Sequence, residues 1–281
     1  MSTTLVSNSD LIMPAIVYGT AWKEDRTADL VELALKKGFR GIDTACQPKH
    51  YNEPGVGEGI QRAMKNGLSR EDLFIQTKFT GVPGQDPSNI PYDPSLPVSE
   101  QVKESFQMSL ENLGVEFIDS LVLHGPLPDW KDTLAVWKAM EDIAKTNQVG
   151  QLGISNCYDP DMLQELLDQS DVIPSVLQNR FVEETGYGVD VRSICRDQGI
   201  VFQCFWTLTA NPHILSSGPV KDASRDHGVT PAQVFFRFLN QMEIQILTGT
   251  TSELHMSQDL AIFEFELNGS QMEQIQALGP F

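Results

Sequence analysis

Four residues of this chain, Asp43, Tyr51, Lys78 and His124, are of types that together could move a proton onto an oxygen. A lysine near the end of an apolar run is unfavourable inside a protein unless something pairs it. Asp43 can hold it charged. An ammonium beside a phenol favours phenolate and is expected to lower the pKa of Tyr51. That would let Tyr51 give and regain a proton near neutral pH. His124 could orient a carbonyl oxygen beside the tyrosine hydroxyl, the two forming a donor pair for a developing alkoxide. No activated serine or cysteine nucleophile is evident. No carboxylate or histidine cluster has the spacing of a metal site.

Something must bring these residues together. Eight short apolar runs recur: Ile16–Tyr18, Gly41–Ile42, Leu73–Thr77, Phe117–Leu123, Gln151–Ile154, Val176–Leu177, Ile200–Cys204 and Ile244–Leu247. Between them lie amphipathic stretches. Thr27–Lys37, Val98–Leu113, Lys131–Thr146, Pro160–Gln169, Val189–Gln198, Pro231–Gln241 and Gly269–Leu278 place apolar residues at helical spacing. Asp159 and Thr230 precede a proline as N-caps. Strands alternating with helices imply parallel pairing with right-handed crossovers. The length suits an α/β fold, a closed (β/α)8 TIM barrel of about 250 residues, forming one domain over 1–281. A doubly wound open sheet is the alternative, but no G-x-G-x-x-G fingerprint follows the first run. Gly55-Val56-Gly57-Glu58-Gly59 follows a polar loop instead and reads as helix-start backbone.

In a barrel, chemistry gathers at the C-terminal strand ends. There the runs end in Asp43, Lys78, His124, Ser155-Asn156, Gln178-Asn179, Phe205-Trp206 and Thr248-Gly249-Thr250-Thr251. The polar groups converge on one face.

Composition sets the class. The 281 residues include 20 Lys+Arg and 38 Asp+Glu, a formal charge of −18, which argues against a nucleic-acid partner. Hydrophobic residues make up 41%, enough for a full core. No run of about 18 apolar residues suggests a membrane span, and the N-terminus lacks the pattern of a secretory signal. Cys46, Cys157, Cys195 and Cys204 are scattered and read as reduced thiols of an intracellular, cytoplasmic protein. No apolar stripe calls for a partner subunit, and a monomer is expected.

The segments Asp43-Thr44-Ala45, Tyr51-Asn52-Glu53, Val56-Gly57, Thr77-Lys78, Leu121-Val122-Leu123-His124, Gly153-Ile154-Ser155-Asn156 and Gly249-Thr250-Thr251-Ser252, in that order, resemble the signature of the aldo-keto reductase superfamily. The match runs from about Met13 to Leu267. The resemblance implies a (β/α)8 barrel that reduces aldehydes and ketones with a nicotinamide cofactor, generally NADPH. It implies Tyr51 as general acid, Lys78 and Asp43 as its tuning pair, and His124 as the carbonyl-orienting group. It places Ser155, Asn156 and Gln178 on the nicotinamide carboxamide and Phe205 stacked on the ring. Gly19 and Thr20 follow the first strand, Thr20 against the cofactor ribose, and Trp22 walls the substrate pocket. Trp206, Leu208, Gly249, Thr250, Thr251, Ser252, His255, Gln258 and Asp259 fall on positions along the cofactor groove.

The chain departs from the pattern in three places. Cys46–His50 is longer than the connection in many members, and the usual spacing back from Asn52 lands on His50. The acid role is assigned to Tyr51 because the chemistry calls for a phenol, and His50 is placed in the substrate pocket. Trp206 stands where a small polar residue is usual. Gly249 and His255 replace a lysine and an arginine that grip the 2′-phosphate of NADPH, so the grip is expected from Thr250, Thr251, Ser252, helix-start N–H groups and His255. A neutral imidazole is a weaker phosphate partner than a guanidinium, so use of NADH is also expected. On the substrate side, the proline-rich loop Gly81–Pro97 is long and stiff, with Tyr92 facing the pocket, and Trp130 comes from the next loop. The short segment after the last helix suggests an open pocket. Two other readings share these residues: a nucleotide-sensing regulatory subunit, and a biosynthetic reductase dedicated to one metabolite.

Overall fold

All eight apolar runs become strands of one closed barrel in the computed structural model, which describes residues 3–281. Before the barrel, β1 (Thr4–Val6) and β2 (Ile12–Pro14) pair antiparallel as a hairpin. The run pattern does not reveal this hairpin, because its residues are partly exposed and too few to show a period.

The barrel strands are β3 (Ile16–Gly19), β4 (Gly41–Asp43), β5 (Phe74–Phe79), β6 (Ile118–Leu123), β7 (Val149–Ser155), β8 (Val176–Arg180), β9 (Val201–Phe205) and β10 (Gln245–Thr248). They pair in parallel in chain order, and β10 closes on β3, with Thr248 opposite Tyr18. Neighbouring strands end at matched heights, Gly19 beside Asp43 and Phe79 beside Leu123. That level is where the polar residues emerge.

Five of the expected helices have the expected bounds: α1 (Thr27–Lys37), α3 (Val98–Leu113), α5 (Pro160–Gln169), α6 (Val189–Gln198) and α9 (Pro231–Gln241). Asp159 and Thr230 cap theirs through side-chain oxygens. α4 (Trp130–Ala144) and α11 (Gly269–Gln276) shift by one or two residues at their ends. α7 (Pro212–Leu215), α8 (Gly218–His227) and α10 (Glu253–Leu260) add to the outer ring. α2 (Glu53–Lys65) carries the glycine run, and its N-cap Asn52 accepts from the Gly55 N–H at 3.0 Å. The glycines mark close packing. A Cβ on Gly57 would sit 2.1 Å from the Asn112 carbonyl oxygen on α3, and one on Gly59 would sit 2.7 Å from that of Ala28 on α1. No helix among the described residues is long and apolar enough to cross a membrane.

Gly57→Ala should therefore destabilise the fold by about 3 kcal/mol, because the obstacle is backbone and cannot rotate away. Urea unfolding, with the exposed Glu58→Ala as control, would check it. A Gly57→Ala midpoint equal to wild type would contradict the packing argument.

Candidate active site

Lys78 and Asp43 form a buried ion pair at the centre of the barrel mouth. Lys78 Nζ donates to Asp43 Oδ2 at 2.7 Å and to the Thr44 carbonyl at 2.8 Å. Gln76 Nε2 and Gln178 Nε2 donate to Asp43 Oδ1 at 2.7 and 3.0 Å. Burial works against the Lys78 charge, and Asp43 opposes that effect.

Tyr51 stands over this pair, its ring centre 5.2 Å from Lys78 Nζ and 5.9 Å from the His124 ring, edge to face. The sequence expectation for its acidity is reversed. Burial pushes the phenol above its usual range, and the Asp43 carboxylate pushes the same way. Burial is the larger of the two effects. His124 is pushed down to about 3 by burial and by Lys78, which keeps its imidazole neutral. Its Nδ1 lies 2.6 Å from the Thr80 hydroxyl.

The longer loop places the Tyr51 ring, rather than that of His50, beside Lys78 and His124. His50 sits at the cavity wall, its ring tilted against that of Trp22 with centres 4.0 Å apart, and its carbonyl accepts from the Trp22 N–H. Trp22 is 65% exposed with φ +59°. Glu53 fastens the far end of the loop. Its buried carboxyl accepts from Thr77 at 2.5 Å, beside Lys78, and from Ser109 and Asn112 on α3. Sequence reasoning quoted Glu53 as a motif residue and missed this clamp.

Below the ion pair the barrel is filled by amides. Gln203 Oε1 accepts from Gln76 at 2.8 Å and Gln178 at 2.9 Å. Gln203 Nε2 donates to Gln76 at 3.1 Å and Gln245 at 2.5 Å, and Gln245 donates to the Pro14 carbonyl. Both Nε2 hydrogens of Gln178 are thus engaged inward, and its Oε1 has no partner among the described residues. Ser155 donates to the Gln178 carbonyl at 2.7 Å. Asn156, at φ +54°, donates to the His124 carbonyl. Thr20 is fully buried with its hydroxyl on the Asp43 carbonyl at 2.9 Å, so it braces the strand end and offers no hydroxyl to a ribose. Phe205 ends β9, half-buried, and Leu208 packs against the core. Trp206 is 54% exposed at φ +62°, with the Arg180 guanidinium 4.4 Å from its ring.

At the end of β10, Ser252 caps α10, accepting from the His255 N–H, and Thr250 lies 3.4 Å from the exposed His255 ring. Thr251 is exposed and Gln258 half-buried. Asp259 accepts from Thr248 at 2.7 Å, and burial pushes its carboxyl up to about 6. Lys23, absent from the sequence reading, donates to the Gly249 carbonyl, while Tyr18 donates to that of Thr250. A cation from the loop after β3 thus reaches the strand end that lacks its own. The available signal was closure, which makes the first and last barrel strands neighbours.

A cavity of about 860 Å³ opens beside Tyr51, lined among others by Trp22, His50, Ile90, Tyr92 and Met108. Tyr92 contributes its ring only, for its hydroxyl donates to the Thr80 carbonyl at 2.7 Å. Trp130 is not among the lining residues, and its indole N–H is buried without a partner among the described residues. Phe281 packs among Phe181, Tyr187, Phe235 and Phe238, none of which lines the cavity.

A model of the Aldo/keto reductase family matches residues 15–212. The chain belongs to this family. It is 31% identical over 255 residues to the glyoxal reductase of Bacillus subtilis, covering 90% of this chain and 84% of that protein. It is 27% identical over 308 residues to the NAD(P)H-dependent D-xylose reductase of Pachysolen tannophilus, covering 96% and 92%. A crystal structure of an aldo/keto reductase from Brucella melitensis superposes with a TM-score of 0.84 at 25% identity, covering 99% and 100% of the two chains. The relation supports a nicotinamide-dependent oxidoreductase.

The Asp259 carboxyl gives this aldo-keto reductase a pH signature. Its pKa rises from 3.8 to about 6 on folding. Protonation therefore favours the folded state: that contribution is complete below the unfolded pKa and is lost as pH rises through 6. Asp259→Asn should raise the melting temperature by a few degrees at pH 7.5, from on the order of 1–3 kcal/mol, and by nothing at pH 3.5. Calorimetry showing an equal gain at both pH values would contradict this.

Proposed function

We propose that this chain is an NADPH-dependent reductase of small aldehydes or ketones, with Tyr51 as proton donor. The observation that carries the reading is that Tyr51, and not His50, stands beside Lys78, Asp43 and His124 at the barrel mouth. The residues present suit a nicotinamide. Gln178 offers only an acceptor, which fits a carboxamide N–H, with Ser155 and Asn156 alongside. Lys23, the Thr250–Ser252 hydroxyls and the α10 N–H groups suit the phosphates. Bound NADPH supplies a hydride to the carbonyl carbon.

The chain's own residues manage the oxygen. His124, neutral, holds the carbonyl oxygen with a ring N–H. Tyr51, kept protonated at neutral pH by burial, gives its proton to that oxygen as charge develops. An alkoxide is a stronger base than a phenolate, so the transfer runs downhill even from a weakened acid. Lys78 then faces the phenolate left behind, and Asp43 holds the ammonium in place. Glyoxal and D-xylose, named in two relatives, are small polar aldehydes. A cavity mixing Trp22 and Ile90 with Asn89 and Gln47 suits that class.

Tyr51→Phe should lower kcat by about a thousandfold and leave the Kd for NADPH within twofold, read by loss of reduced-nicotinamide absorbance and by fluorescence titration. Near wild-type turnover would overturn the assignment. With Gly249 and His255 in place of the cations, the NADPH preference in kcat/KM should stay below about a thousandfold, roughly 4 kcal/mol. A larger preference would show that Lys23 and the helix start restore the full grip.

A further inference from the structure

Thr80 belongs to no motif, yet it meets His124 directly. It follows the last residue of β5, as His124 follows the last residue of β6, and Phe79 pairs with Leu123. The two residues therefore leave adjacent strands at one height, where the His124 N–H donates to the Phe79 carbonyl at 2.9 Å. The Thr80 hydroxyl then lies 2.6 Å from His124 Nδ1, a short, well-formed hydrogen bond.

From this contact we infer that Thr80 is a positioning residue that sets which ring nitrogen of His124 carries the proton. The inference rests on the carbonyl-orienting role proposed above for His124. A neutral imidazole has one N–H and one acceptor nitrogen, and a threonine hydroxyl has one hydrogen. Two arrangements satisfy the short contact. If Nδ1–H donates, the Thr80 hydrogen is left without an acceptor in a residue only 5% exposed, because Thr80 Oγ1 makes no other hydrogen bond among the described residues. If Thr80 donates, that hydrogen is placed, and the imidazole proton sits on Nε2 of a ring that is only half-buried and can meet water. A buried donor left without an acceptor is unfavourable, so the second arrangement prevails.

The hydroxyl cannot easily turn away. Threonine is stiff about its first side-chain torsion. The Thr80 backbone is held from behind by the proline-rich loop, with the Tyr92 hydroxyl and the Gln85 amide both donating to the Thr80 carbonyl, at 2.7 and 3.1 Å. Gln85 also holds the Cys46 carbonyl at 3.0 Å, tying Thr80 to the start of the loop that carries Tyr51. On the other flank, Asn156 grips the His124 carbonyl at 2.8 Å. The long loop thus acts on the chemistry from outside the cavity, through Thr80.

The tautomer matters because of what the opposite nitrogen presents. With the proton on Nε2, His124 adds a donor beside the Tyr51 hydroxyl, and both address one oxygen. With the proton on Nδ1, the exposed nitrogen would be a lone pair. It would repel a carbonyl oxygen and would accept the phenol's own hydrogen, drawing Tyr51 away from substrate.

The test is nitrogen-15 NMR of the histidine-labelled full chain, which has five histidines, with His124→Gln identifying the signal. Wild type should show a protonated Nε2 and an unprotonated Nδ1 between pH 5 and 8. Thr80→Val should lose the fixed tautomer and lower kcat by about 10–100-fold at an unchanged NADPH Kd. Thr80→Ser should restore both. If Thr80→Val does not fold, Thr80→Ala takes its place. A protonated Nδ1 in wild type, or an unchanged tautomer in the folded variant, overturns the inference and leaves the reductase reading standing. A fixed Nε2–H in a protein that reduces no carbonyl would sink the reductase reading and leave the tautomer assignment standing.

Discussion

The ion pair between Lys78 and Asp43 is the constraint around which this barrel is arranged. Both residues are at most 3% exposed. Removing two such charges from water costs several kcal/mol for each, and their attraction offsets this only when the remaining hydrogen-bonding positions are filled. Here neighbouring strands supply partners from several sides: the Thr44 carbonyl accepts from the ammonium, and Gln76 and Gln178 donate to the carboxylate. Parallel strands closing at one height put these groups within reach of one point. The pair in turn gives the mouth a charge to place beside a phenol.

The polar interior follows from the pair. The inside of such barrels is ordinarily layered with branched apolar side chains. Glutamines here run from the Asp43 carboxylate to the barrel floor, and their direction is set at both ends. Asp43 Oδ1 and the Pro14 carbonyl can only accept, so Gln76, Gln178 and Gln245 must turn their Nε2 groups to them. Gln203 must then donate to Gln245 and accept from Gln178. No amide can flip alone. Gln178 is consequently held with its oxygen outward, and networks satisfied in this way are rigid.

Much of the architecture was legible in the chain. The eight runs and the capped helices, such as Pro160–Gln169 behind Asp159, rest on local pattern, and the structure has them. The hairpin Thr4–Pro14 escaped because its strands are too short to show a period. Of the site, the strand-end residues Asp43, Lys78 and His124 were readable because strand order fixes their height. What escaped depends on contacts between distant segments: Lys23 reaching Gly249 across the barrel seam, Thr80 meeting His124, and Tyr92 turning its hydroxyl to Thr80 instead of the cavity. The acidity of Tyr51 was misjudged for a related reason. Residue types show which charges are near, while burial depends on everything packed around them.

The glutamine lattice also limits how this protein can change over evolutionary time. Replacing Gln203 by an apolar residue leaves the Gln76 and Gln245 oxygens buried without a mate, whereas replacing several members together can be nearly neutral. Gln203, which touches Gln76, Gln178 and Gln245, has the most neighbours to strand. Single-step drift toward an ordinary apolar interior therefore crosses a valley of broken hydrogen bonds. The members are expected to persist or to disappear as a set, so that covariation among these positions across descendants would be the historical trace of the network.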